Sequence, residues 1–103
     1  MERLLELPFP GRDEIRKQVD HAVVREIGDH DERSLQFDVE IDVKAPVSQR
    51  VPVEATAYDE DGVPIEALLH VVGGVIKELE ILKADGSAIR RMPEAQEFQV
   101  QIR

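Results

Sequence analysis

The sequence contains no cysteine and no tryptophan, and aromatic residues make up 4% of its 103 positions. Without cysteine there can be no disulfide, thiol nucleophile or thiolate metal site. With so few aromatic residues, the chain offers few side chains on which nucleobases or sugars could stack. Basic residues are also outnumbered, with 13 Lys and Arg against 22 Asp and Glu, which gives a formal net charge of −9. This charge disfavours nucleic acid and anionic membrane as partners, because both are bound through basic residues.

Long apolar runs are missing as well. No segment approaches the ~20 residues of a membrane span, and the acid-rich start MERLLELPFPGRDE lacks the basic and apolar regions of a signal peptide. We therefore expect a cytoplasmic protein. The length fits a single domain over residues 1–103.

The acidic residues are concentrated in one third of the chain. Residues 26–61 hold 11 acidic side chains against Arg33, Lys44 and Arg50, so their net charge is 3 − 11 = −8. Such asymmetry is typical either of an interaction face or of the solvated side of a sheet with its turns. The pattern leaves both interpretations open.

A short helix is predicted over residues 12–22. Ile15 and Val19 begin an apolar stripe at helical spacing, and Asp13 and Glu14 lie in the first turn, where the helix dipole favours negative charge. Period-two alternation then predicts strands. The alternation is strictest over residues 35–43, and the residues predicted to face solvent in this strand are mostly acidic. The other predicted strands are 22–27, 51–58, 65–72, 75–83 and 98–102.

A glycine pair joins the two longest predicted strands. Matching apolar to apolar positions favours a three-residue loop, Val72–Gly74, with a bulge. That loop would pair Ala67 with Leu79 and Ile65 with Ile81.

The connections are too short for parallel crossovers. The sequence therefore predicts an α+β fold in which one N-terminal helix packs on a curved, largely antiparallel sheet of about six strands. Residues 68–72 are apolar on both faces of their strand, and one helix covers only one face. The other face needs the N-terminal arm or a second chain, which favours a homodimer.

His70 is the one ionisable residue in this most apolar segment, which makes it the preferred candidate for a functional residue. We expect a ligand site of His70 with Glu66 or Glu78, in a pocket between helix and sheet. The alternative is a hydrogen-bonded core or interface histidine. No metal site and no cofactor are predicted, because the acidic turn around His30 does not match a calcium-binding loop.

Partner-binding candidates come from two sources. Tyrosine and arginine are common interface hot spots, and the acidic alternation offers a charged surface. The candidates are Tyr58, Arg90, Arg91, Asp38, Glu40 and Asp42.

Motifs for catalysis are missing. There is no nucleophile elbow, phosphate-binding loop or dinucleotide fingerprint, and Asp59–Gly62 and Asp85–Ser87 are explained as β-turns between strands. An enzyme is therefore not favoured.

Four segments carry a resemblance: DGVP at 61–64, LLHVVxG at 68–74, ELEI at 78–81 and DGS at 85–87. Together they resemble a group of small uncharacterised bacterial proteins, over roughly residues 50–93. The resemblance implies a bacterial source and no established activity, and it supplies no catalytic residue.

The leading hypothesis is a small acidic, non-enzymatic interaction module that binds a protein partner or itself as a homodimer. The alternative is a small-ligand-binding protein or minor enzyme with a pocket between helix and sheet near His70.

Overall fold

The protein is described from a computed structural model, which covers residues 2–7, 9–27, 34–40, 44–47 and 49–102. The described residues form an α+β fold with one α-helix near the N-terminus and six strands, as predicted. The elements in chain order are a 3-10 helix Glu2–Leu5, α1 Arg12–Asp20, β1 Ala22–Ile27, β2 Ser34–Val39, β3 Val53–Tyr58, β4 Pro64–Val72, β5 Val75–Lys83, a 3-10 helix Ala95–Glu97 and β6 Gln99–Ile102.

The six strands form one sheet in the order β1-β2-β5-β4-β3-β6, and all neighbours are antiparallel. The hairpin of β4 and β5 lies at the centre, and β1 and β6 lie at the edges. The predicted helix ends two residues early, because β1 already begins at Ala22. Of the predicted strand 35–43, β2 contains residues up to Val39, and 41–43 lie outside the described residues.

The central hairpin turns through two residues, not the predicted three. Gly73 and Gly74 have φ angles of 60° and 78°, the positive pair of a type I′ turn. Val72 consequently pairs with Val75. Glycine suits both turn positions because it alone adopts positive φ without steric cost.

The predicted pairing of Ala67 with Leu79 is wrong by two residues. The register shifts between His70 and Val71, where β5 contains one extra residue, so Ala67 pairs with Ile81 and Leu79 with Leu69. Apolar residues still face apolar residues, as the prediction required. The bulge within the strands, and not a longer loop, brings the apolar residues opposite each other.

One face of the sheet is the core face. Alternate residues of β3, β4 and β5 are buried there, together with residues of α1 and the N-terminal 3-10 helix. The largest fully buried apolar side chains are Leu5, Ile15, Val53, Ile65, Leu69 and Ile76. Since both elements pack on this face, no described helix covers the opposite face. The N-terminal arm therefore lies on the same side as the helix.

Gln18 fixes α1 to the central hairpin. Its side chain is fully buried; Nε2 donates to the Gly74 carbonyl at 2.8 Å, and Oε1 accepts from the Ile76 N–H at 2.8 Å. Both hairpin groups lie where β5 starts, so Gln18 attaches α1 to that end of the hairpin. In the described part of the chain, no helix has the length and apolar character needed to cross a membrane.

Candidate functional site

The sheet face away from the helix is acidic. Its carboxylates come from four adjacent strands, and two half-buried leucines, Leu68 and Leu82, lie between them. Across β3, β4 and β5, Leu68 is opposite both Glu54 and Glu80. We call this surface the acidic face; its carboxylates are Asp38, Glu54, Glu66, Glu78 and Glu80.

His70 lies on the acidic face, with 15% of its side chain exposed. Its Nε2 lies 2.8 Å from Oε1 of Glu80, and Arg50 Nε donates to its Nδ1 at 3.2 Å. Because Nδ1 accepts that bond, the neutral ring has its proton on Nε2 and donates it to Glu80. The histidine thus links a cation to a carboxylate.

Glu78 completes this group. It is directly opposite His70 in the β4–β5 ladder, and one ligand atom each from His70, Glu78 and Glu80 all lie within 4.8 Å of one another. We call these three residues the histidine cluster. All three side chains are half-buried, so they are shielded by their neighbours but reachable from solvent.

The structure brings together only part of the ligand site expected from the sequence. His70 and Glu78 meet, but Glu66 lies four residues from His70 along the same strand, about 13 Å in extended backbone. Glu80, which the sequence did not single out, takes the position next to the ring. Glu80 could have been identified from the sequence, because it lies two residues after Glu78 and therefore faces the same side of β5.

The expected pocket between helix and sheet near His70 is wrong in its location. His70 is on the acidic face, whereas α1 packs on the core face. A cavity of about 190 Å³ does lie on the core side, and it is lined by other residues, among them Leu4, Ala67 and Phe98. The alternation of side chains along β4 explains why His70 is not near the helix. Leu69 and Val71 are buried on the core face, so His70 between them is on the opposite face.

A buried ion-pair network lies at the opposite end of the hairpin. Lys83 Nζ is 3.0 Å from Asp59 Oδ2 and 2.6 Å from Asp61 Oδ2, and it also donates to the Ala88 carbonyl at 3.2 Å. Exposed fractions are 1% for the Lys83 side chain, 0% for Asp59 and 18% for Asp61. We call these three residues the lysine network.

Asp59 also anchors the C-terminal segment. It accepts hydrogen bonds from the backbone N–H groups of Arg90 at 2.7 Å, Arg91 at 2.9 Å and Glu60 at 2.7 Å. Burial by itself raises the pKa of the carboxyl group, but the bond from Arg90, then those from Lys83, Arg91 and Glu60, outweigh it and hold the pKa well below its usual range. Asp59 is therefore ionised while buried.

The pKa values of the two other members of the network also shift in the direction that favours the charged form. The hydrogen bond from Lys83 lowers the pKa of Asp61 against the opposing effect of burial. The bond to Asp61, with that to Asp59, raises the pKa of Lys83, again against burial. All three groups thus stay charged near neutral pH, as compensated buried ions do.

The sequence did not predict this network. Asp59–Gly62 was explained as a turn, and the turn is there, with the Gly62 N–H donating to the Asp59 carbonyl at 2.9 Å. The missed signal is Lys83, which follows Leu79 and Ile81 at the buried positions of β5. A lysine on the core side of an alternation needs a buried anionic partner.

The acidic segment 26–61 is therefore not one solvated surface. Asp59 and Asp61 share the ion pair with Lys83, and Asp61 also lies 3.5 Å from Arg90 Nε. The acidic face takes Glu66, Glu78 and Glu80 from outside the segment. The charged surface is assembled from four strands.

The partner-binding candidates are dispersed. Tyr58 is 64% exposed at the end of β3, whereas Arg90 and Arg91 lie on the C-terminal segment, where Arg91 pairs with Glu97 at 2.9 Å. Asp38 is on the acidic face and pairs with Arg25 at 3.2 Å. Glu40 is exposed just after β2. Asp42 and the histidine of the acidic turn, His30, lie outside the described residues.

Comparison with known proteins gives a family but no activity. No curated protein and no solved structure matches the chain. One family profile, described as a domain of unknown function (DUF6984), matches residues 1–93, a longer stretch than the segments that first suggested a resemblance. Since this match covers α1 and the first five strands, the chain belongs to the family of domains of unknown function DUF6984.

Proposed function

We propose that the protein is a non-enzymatic interaction module that binds a basic protein partner through its acidic face. The observation that supports this function is the arrangement of carboxylates from four strands around Leu68 and Leu82, on a face that no described helix covers. Apolar centres with a polar rim are typical of protein interfaces. Complementary charge adds specificity and fast association.

The cations on this face leave its acidic character intact. Arg25 is paired with Asp38 at 3.2 Å, and Arg50 donates to His70 at 3.2 Å. Among the described residues, the four glutamates of β3, β4 and β5 outnumber these two arginines. A partner that presents lysine and arginine around an apolar patch would complement this surface, whereas a nucleic acid would be repelled.

The lysine network supports a non-enzymatic role. Lys83 and Asp59 are the most deeply buried ionised groups described, yet each is hydrogen-bonded within the chain. Catalytic groups must reach a substrate within hydrogen-bond distance. A buried and internally satisfied pair stabilises the fold instead.

The test compares two variants that each remove two negative charges. Glu54→Gln with Glu66→Gln alters the acidic face outside the histidine cluster, and Asp13→Asn with Asp20→Asn alters α1. Each protein, like wild type, is immobilised and exposed to lysate of the organism that encodes it. Retained proteins are identified by mass spectrometry, and the elution salt is recorded.

The expected result is a basic protein retained by wild type and by the α1 variant, lost from the face variant and eluted by salt. The same protein, purified, should bind wild type with lower affinity as ionic strength rises. Retention that is equal for both variants would overturn the proposal.

The homodimer expected from the sequence is proposed at a different surface. Two acidic faces repel each other, so a face-to-face pair is disfavoured. In the described part of the chain β1 has one strand neighbour, β2, and its Val23 and Val24 are 45% and 47% exposed. An edge strand of this kind can pair with its copy across a two-fold axis.

Light scattering after size exclusion tests this dimer against the monomer mass of 11.7 kDa. Val24→Lys should give the monomer, because charged residues on edge strands block pairing. Val72→Lys, at a residue 42% exposed beside the hairpin turn, is the control and should leave the dimer intact. A wild-type monomer at high micromolar concentration would overturn the dimer and leave the acidic-face proposal standing.

A further inference from the structure

We propose that the histidine cluster, His70 with Glu78 and Glu80, is a binding site for a divalent transition cation of the zinc type. One imidazole nitrogen and two carboxylate oxygens lie within 4.8 Å of one another, and His70 Nε2 and Glu80 Oε1 are 2.8 Å apart. Small side-chain rotations bring three such atoms around one ion with bonds of about 2.0–2.2 Å. This site goes beyond the proposed partner binding and does not depend on it.

The bulge in β5 places these ligands together. If β5 had no bulge at Lys77, the register of the pair Val71–Ile76 would continue along both strands. His70 would then be opposite Lys77, and Leu69 would be opposite Glu78. Glu78 and Glu80 would then point into the core. Bulges occur preferentially beside functional sites, where they redirect side chains. Here the shift of one residue moves both carboxylates onto the face of His70.

The donor set determines the class of ion. Imidazole suits zinc, cobalt, nickel and iron, and carboxylates are accepted by the same ions. Three protein ligands leave a coordination position for water, as in zinc sites with an open position. Calcium and magnesium, which prefer oxygen ligands in greater number, are a poorer match for a set that includes His70.

Arg50 opposes the ion at this site. A cation on Nε2 of a neutral imidazole requires the ring proton to move to Nδ1 through solvent, with no net proton released. Nδ1 then becomes a donor and can no longer accept the bond from Arg50 Nε, which is 3.2 Å away. Arg50 is exposed and can rotate away. Removing its charge should therefore strengthen binding.

The experiment titrates ZnCl₂ into the chelator-treated full chain by calorimetry. In parallel, imidazole nitrogen shifts are followed by NMR. His70 Nε2 should shift to the metal-bound range while His21 and His30 stay unchanged. His21 is a suitable internal reference, because it caps α1 with Nδ1 3.0 Å from the Lys17 carbonyl.

Single variants separate ligation from general attraction of cations. Glu78→Gln and Glu80→Gln should each weaken affinity about tenfold or more, and His70→Gln should abolish the calorimetric signal. Glu66→Gln is the matched control, with the same charge change on the same face of the sheet, and should alter affinity less than about twofold. Arg50→Ala should tighten binding severalfold. Circular dichroism confirms that each variant is folded.

Four outcomes would overturn the proposal. The first two are that His70→Gln binds zinc as wild type does, or that the NMR shift appears at His21 or His30. The others are that Glu66→Gln weakens binding as much as Glu78→Gln, or that wild type shows neither heat nor an NMR shift at millimolar zinc. Because Glu54 and Glu66, used to test the partner, lie outside the cluster, the two proposals succeed or fail separately.

Discussion

Lys83 Nζ lies 3.0 Å from Oδ2 of Asp59, and neither side chain has more than 1% of its surface exposed. The two residues come from the end of β5 and the turn after β3. Through its bonds to the N–H groups of Arg90 and Arg91, Asp59 also holds the C-terminal segment against them. One carboxylate therefore connects three stretches of chain that are distant in sequence.

Removal of the buried cation should be strongly destabilising. Lys83→Met keeps the volume of the side chain but removes the cation that pairs with the fully buried Asp59, whereas Asp61 keeps Arg90 at 3.5 Å. We expect the melting temperature to fall on the order of 15 °C. Lys77→Met, at an exposed position of the same strand, is the control and should shift it by about 2 °C or less. Equal melting of the two variants by calorimetry would contradict a structural role for the network.

Lowering the pH should reduce the free energy of unfolding, in part because Asp59 becomes protonated. Its folded-state pKa is depressed, so its stabilisation is complete above the ordinary value of 3.8 and is lost as pH falls from there toward the folded-state pKa. Asp59→Asn lacks this titration. The difference in unfolding free energy between wild type and Asp59→Asn should be largest near neutral pH and shrink toward about pH 2, as measured by urea denaturation. A difference that is constant with pH would show that Asp59 is not an ionised buried group.

The helix should depend on a polar residue for its attachment. Gln18→Leu is close in size but leaves the buried N–H of Ile76 without its partner. We expect a loss of about 1–3 kcal/mol of unfolding free energy. Gln101→Leu on exposed β6 should change it by less than about 0.5 kcal/mol. Denaturant titrations of both variants check this, and the prediction is wrong if Gln18→Leu is as stable as wild type.

The two turn glycines should differ in their tolerance of a side chain. Both have positive φ, so alanine at either costs about 1–2 kcal/mol in backbone strain. A Cβ on Gly73 meets nothing within 4 Å, whereas one on Gly74 would lie 2.8 Å from the carbonyl oxygen of Ala45. Gly74→Ala should therefore be less stable than Gly73→Ala by about 1 kcal/mol or more. Equal urea midpoints would contradict the close packing of the turn against Ala45.

The secondary structure could be predicted because it is local. The alternation around Phe37 and that around Ala55 mark strands, and the spacing of Ile15 and Val19 marks the helix, in each case because one face must be buried. The glycine pair located the hairpin. Its register could not be derived, because a two-residue loop with a bulge and a three-residue loop both place apolar side chains on the core face.

The candidate site was predictable only in part. The sequence analysis grouped His70 with Glu78 or Glu66, and the structure places Glu78 opposite His70 in one hairpin. Glu66 was included although it lies too far along the strand, and Glu80 was missed although it lies two residues after Glu78 on the same face of β5. The lysine network was missed because Lys83 is more than twenty residues away from Asp59 and Asp61 in the chain.

The sequence by itself determined the elements of this protein, its overall negative charge, the absence of thiol chemistry and the antiparallel character of its sheet. Those properties depend on composition, short-range periodicity and connection length. Only the tertiary structure decided which charges face solvent. Strand order and a one-residue bulge gather glutamates from three strands onto one face and bury Asp59 against Lys83, because burial and pairing depend on contacts between residues distant in the chain.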